Sequence, residues 1–127
     1  MILVDTSAWG EFFRGKAPVA DRVEDLLASN EVALCGPVVT ELRRGIRSAM
    51  ERRKVLPLLG GCHFLDQPAA LWEEAGELGY ALARMGTVVK TLDLLIATCV
   101  LAHSVPLLTC DTDFALMRDA GIPLILA

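Results

Sequence analysis

LLTCDTDF, residues 107–114, is a short apolar run that ends in two carboxylates. Leu107, Leu108 and Thr109 have the character of a strand buried on both faces of a parallel sheet, and Asp111 and Asp113 stand where such a strand leaves the core. Charges placed there need a reason. The rest of the chain repeats the pattern of apolar run, polar edge and helix.

MILVD (1–5) reads as a strand, and Asp5, Thr6 and Ser7 are suited to start a helix through Trp9, Phe12 and Phe13. A helix is expected over Val19–Ala28, with Val23, Leu26 and Leu27 inward. EVALCG (31–36) follows as a strand, with Pro37 as the first helical residue of PVVTELRRGI. A helix over Ala49–Leu59 should stop at Gly60-Gly61. CHFLD (62–66) reads as a short strand, Ala69–Arg84 and Leu92–Ala102 as helices. A helix through Met117 and a closing strand at PLILA (123–127) end the chain. Strands alternating with helices mark βαβ units, so the expected fold is α/β: one domain over 1–127, a three-layer α/β/α sandwich around a parallel sheet.

Composition agrees. A chain of 127 residues, 54% hydrophobic, with a mean hydropathy of +0.47, is long enough to bury about 65–70% of its unfolded surface. The apolar surplus suits doubly covered strands and a homodimer interface, with the helix from Ala69 as a candidate surface. No apolar run approaches the roughly 18 residues of a membrane span. The start, MILVDTSAW, lacks a basic leader, so a cytoplasmic location and no membrane partner are expected. Cys35, Cys62, Cys99 and Cys110 form no CxxC pair and read as reduced core thiols, while His63 and His103 have no spaced metal-ligand partner.

The net charge of −4 argues against indiscriminate binding of nucleic acid. Its distribution is uneven. Arg43, Arg44, Arg47, Arg52, Arg53 and Lys54 stand against Glu51 alone, a local charge near +5 beside a body near −9. This ridge reads equally as a solvated helix face with Glu51 paired to Arg47 or Lys54, and as a surface for a polyanion.

In an open parallel sheet ligands bind beyond the carboxyl ends of the strands. Asp5 and Asp111 belong to that rim, and Asp93, in the first turn of the Leu92 helix, should face it. Glu41 shares a helix face with Val38, Leu42 and Gly45, on or beside the inward side. Singly, each acid has a structural explanation: Asp5 and Asp111 as caps, Asp93 against a helix dipole, Glu41 paired with Arg44. Together they would repel one another unless a cation neutralised them, and hard divalent ions prefer such oxygens. With no nucleophilic Ser or Cys arrangement and no phosphate-cradling glycine loop, the set points to metal-assisted attack of water on phosphorus.

ILVDTSAW, VVTEL, TLDLLIATCVLA and LLTCDTDF, in this order and across essentially the whole chain, resemble a PIN domain, and the compact length resembles the VapC-type toxins. The resemblance implies an endoribonuclease dependent on Mg²⁺, with Mn²⁺ as substitute. It further implies a dimer acting on RNA and inhibited by a VapB-type antitoxin. On that pattern Asp5, Glu41, Asp93 and Asp111 match the acidic, catalytic and metal-binding quartet. Thr6, Ser7 and Thr109 match supporting hydrogen-bonding positions. Asp113 is a further acid that either joins the metal or caps the last helix, and Arg43, Arg44 and Arg47 face RNA or antitoxin. Two other readings stand beside this one: a phosphoacceptor signalling domain, with Asp66 as acceptor, and a catalytically silent partner-binding module.

Overall fold

A computed structural model describes residues 1–127. Four strands, β1 (Ile2–Val4), β2 (Val32–Leu34), β3 (His63–Phe64) and β4 (Leu107–Leu108), form one sheet in the order β3-β2-β1-β4. All three pairings are parallel, with Leu3 opposite both Ala33 and Leu107. Successive strand side chains point to opposite faces. Leu3 and Val4, Val32 to Leu34, and Leu107 and Leu108 are nonetheless all buried. Both faces of the sheet are therefore covered, as in the three-layer α/β/α arrangement.

The covering helices are α1 (Thr6–Phe13), α2 (Val19–Ala28), α3 (Gly36–Arg44), α4 (Ala49–Gly60), α5 (Leu71–Arg84), α6 (Thr91–His103) and α7 (Thr112–Asp119). Helix α6 is the central one. Its residues Ile96, Ala97, Cys99 and Val100 are almost wholly buried, and Thr98 satisfies its hydroxyl within the helix by donating to the Leu94 carbonyl at 2.8 Å. A helix apolar on all sides is a core element, so the direction of its first turn is fixed by packing. Helix α1 is anchored by Trp9, which is fully buried and stacks on Phe13 at 5.6 Å between ring centroids.

Some expectations are corrected here. PLILA forms no sheet strand: only Leu126 bridges to Leu107, through Leu107 N–H to the Ile125 carbonyl and Ala127 N–H to the Leu107 carbonyl, both 2.8 Å. Gly36, not Pro37, opens α3, and α5 begins at Leu71 because Ala69 and Ala70 form a turn. The cysteines are all free, as expected, but Cys110 is exposed rather than in the core. His63 and His103 are held by backbone carbonyls, of Asn30 at 2.9 Å and of Asp66 at 2.8 Å. No helix is long and apolar enough to cross a membrane.

Candidate active site

Asp5 follows β1 and caps α1, its Oδ1 accepting from Ala8 N–H at 3.0 Å and from the Ser7 hydroxyl at 2.7 Å. Its Oδ2 accepts from the Thr109 hydroxyl at 2.5 Å. Thr109 in turn accepts from Asp111 N–H at 2.9 Å, and Ser7 accepts from Cys110 N–H at 2.8 Å. These hydroxyls lock the end of β1 to the end of β4. Asp5 is 3% exposed. Burial raises its pKa above the ordinary value, the bonds from Ser7, Thr109 and Ala8 work against that rise, and the charge of Asp111 adds to it.

Glu41 comes from the far side of the rim, on α3, and accepts from the Thr6 hydroxyl at 2.7 Å. The alternative pairing with Arg44 does not form. Asp111 caps α7 through Asp113 N–H at 2.9 Å, so the cap of the last helix is Asp111 and Asp113 lies inside its first turn. Asp93 sits in the first turn of α6, 6% exposed, and its Oδ2 is inaccessible to solvent with no hydrogen-bond partner. A buried carboxylate oxygen without a donor is costly. Burial first, then the nearby Asp113 carboxyl and the Asp111 charge, push its pKa to about 7, while Lys90 pulls the other way.

Asp5, Thr6, Ser7, Glu41, Asp93 and Asp111 line one cavity of about 560 Å³, together with Glu11, Arg14, Lys90 and Cys110. Within this rim the tightest group is Asp93, Asp111 and Asp113, whose ligand atoms lie within 4.8 Å of one another. Asp5 and Glu41 stand outside that group, and both oxygens of Asp5 already accept hydrogen bonds. The donor set is carboxylate oxygen with no sulfur or imidazole, which fits a hard divalent cation. The orphaned Asp93 oxygen is the ligand such a cation would satisfy.

Sequence reading missed Lys90, Glu11 and Arg14. Lys90 stands one helical turn before Asp93, a spacing visible in the sequence, but its second partner, Asp111, is brought in only by the fold. Asp66, the alternative phosphoacceptor, is exposed and outside the cavity, its carbonyl accepting from His103. The basic ridge is exposed from Arg43 to Lys54, and Glu51 pairs with none of its cations.

The fold and site together define an α/β/α protein with a parallel sheet and a carboxylate-lined cleft at one edge of it. The PIN domain model matches residues 2–120, and the chain belongs to the PIN domain family. It is 31% identical over 119 residues to the VapC ribonuclease Mb1587 of Mycobacterium bovis, covering 90% of this chain and 89% of the relative. Ribonuclease VapC11 of Mycobacterium tuberculosis matches to the same extent, 31% over 119 residues. Among solved structures, VapBC2 from Rickettsia felis bound to a promoter DNA fragment aligns with a TM-score of 0.74 at 23% identity, over 100% of this chain and 98% of that one. A toxin-antitoxin complex from Klebsiella pneumoniae aligns at 0.76 and 20% identity, over 100% and 97%.

Proposed function

We propose that the chain is a divalent-metal-dependent endoribonuclease, the toxin of a toxin-antitoxin pair, which hydrolyses RNA phosphodiester bonds with water as nucleophile. The observation that carries this is the buried Asp93 oxygen, which accepts no hydrogen bond, within the Asp93, Asp111 and Asp113 group. Supporting it are the family and the ribonuclease names of two relatives. Mg²⁺ is the proposed ion, with Mn²⁺ as substitute.

The catalytic acids are Asp5, Glu41, Asp93 and Asp111, with Asp113 as an added ligand. When bound, a divalent cation supplies Lewis-acid activation of water and offsets the charge gathering on the phosphoryl group. The chain's own part is placement. Ser7, Thr109 and the Ala8 N–H hold Asp5 in one orientation, and Thr6 holds Glu41. Helix α6 contributes a rigid, buried base for Asp93. Asp5 and Glu41 both line the cleft of about 560 Å³ in which a phosphodiester would lie. Arg43, Arg44 and Arg47 supply phosphate contacts, which position RNA without reading its sequence. A VapB-type antitoxin is the proposed inhibitor, and a homodimer the proposed assembly, using α5, where Trp72 and Tyr80 are 61% and 63% exposed. The cytoplasm is the proposed location.

The test is incubation of the purified chain with a labelled structured RNA in Mg²⁺ or Mn²⁺, beside EDTA and an Asp93→Asn control. Metal-dependent cutting abolished by the substitution is the expected result. Cutting that persists in Asp93→Asn would place the chemistry elsewhere.

A further inference from the structure

Lys90 immediately precedes α6, its backbone extended at φ −61° and ψ 144°. Its side chain makes no cap and is 70% exposed, yet its ammonium reaches into the acidic cavity. Nζ stands 3.6 Å from Asp93 Oδ2 and 3.5 Å from Asp111 Oδ2. These are two particular oxygens. Asp93 Oδ2 has no hydrogen-bond donor at all, and Asp111 Oδ2 is the one left over after Oδ1 takes the Asp113 N–H. One ammonium thus faces the oxygens that local structure leaves free in the tightest acidic group.

A divalent cation and an ammonium cannot both occupy that position. Both are drawn to the same oxygens, and like charges a few ångströms apart repel. The lysine is the weaker contender: it is solvated, sits on a flexible four-carbon stem, and has no other anchor in the cavity. Building on the metal site proposed above, we propose that Lys90 is an internal counter-ion that competes with the divalent cation for Asp93 and Asp111. The metal-free site is thereby spared acid–acid repulsion, and the concentration of metal needed to load it is raised. Lys90 is a regulatory and positioning residue of this site, and no step of bond cleavage is assigned to it.

The experiment is calorimetric titration of the whole chain with Mn²⁺, for wild type, Lys90→Met, Lys90→Arg, Arg14→Met and Asp93→Asn, with melting temperatures in EDTA and in saturating Mn²⁺. Removing the two ion-pair contacts of this exposed ammonium should tighten Mn²⁺ binding about three- to tenfold in Lys90→Met. That variant should melt lower than wild type in EDTA and gain more on Mn²⁺ addition, a pair of shifts that loss of a merely structural contact does not produce. Lys90→Arg, which keeps the charge, should bind Mn²⁺ as wild type does. Arg14→Met controls for general cavity potential, since Arg14 lines the same cleft but is engaged by Glu11 at 2.7 Å. Unchanged or weaker Mn²⁺ binding by folded Lys90→Met, or an equal gain in Arg14→Met, would overturn the counter-ion role while leaving the metal site standing. Equal Mn²⁺ binding by wild type and Asp93→Asn would instead overturn the metal site, and this inference with it.

Discussion

Asp93 carries opposed demands: packing of α6 holds it buried, while its Oδ2 accepts no hydrogen bond and two of its neighbours, Asp111 and Asp113, are acids. Its pKa of about 7 in the fold stands well above the 3.8 of an unperturbed aspartate. A carboxyl whose folded pKa is raised binds its proton more tightly in the native state. Stability is then greatest below the unfolded value and is lost as pH rises from about 4 to about 7. Asn cannot ionise and resembles the protonated acid. In EDTA, Asp93→Asn should therefore melt higher than wild type at pH 8, and the difference should fade as pH is lowered toward 4, read by thermal melts across that range. A difference independent of pH would mean that the substitution acts through packing alone. Because a cation must displace that proton, Mn²⁺ affinity of wild type should rise through the same interval.

Helices α5 and α6 pack extensively against each other, and glycines of α5 divide according to what they face. A Cβ at Gly79 would lie 2.7 Å from Leu94 Cδ1, whereas one at Gly76 would meet nothing within 4 Å. Gly76→Ala should stabilise by about 0.5–1 kcal/mol through helix propensity. Gly79→Ala receives the same gain but must displace Leu94, a buried residue next to Asp93, at a cost of about 1–3 kcal/mol for overpacking. Urea melts should rank Gly76→Ala above wild type and Gly79→Ala below it; equal gains would show that Leu94 rotates away freely. Such elements were largely legible from sequence. The period of Val23, Leu26 and Leu27 gave α2 its bounds at Val19 and Ala28. The convergence of Asp5, Asp93 and Asp111 followed from one rule, that strand ends and helix starts share an edge, and Glu41 was added by its place on the inward face of its helix with Val38 and Leu42. What stayed hidden depends on non-local partners. PLILA has the apolar character of a strand, but sheet membership depends on how much edge β4 offers, and only Leu126 is bridged. The grouping of Asp113 with Asp93, and the reach of Lys90 to Asp111, arise where α6 and α7 begin beside each other, and no spacing within one helix reveals them.

Charge is divided across the molecule as a whole: a net of −4 includes a run of six cations from Arg43 to Lys54. Were this run a neutralised helix face, Glu51 would pair with Arg47 or Lys54, and it pairs with neither. Arg47 and Lys54 instead line a groove of about 710 Å³ with Phe12 and Phe13, and this groove meets the acidic cavity at Gly10 and Arg14. On the function proposed above, cations beside the acidic cleft would grip the RNA backbone next to a site that repels it until cation is bound. Each phosphate neutralised contributes roughly 0.7–0.9 to the slope of log K against log salt. With Asp93→Asn as background to prevent cutting, replacing Arg43, Arg44 and Arg47 by Ala should weaken binding of a labelled RNA and flatten that slope by about 2. Fluorescence anisotropy between low and physiological salt reads both quantities. Weakened binding with an unchanged slope would mean that the arginines support the surface without touching phosphate, and unchanged binding would return the ridge to solvent or to the antitoxin.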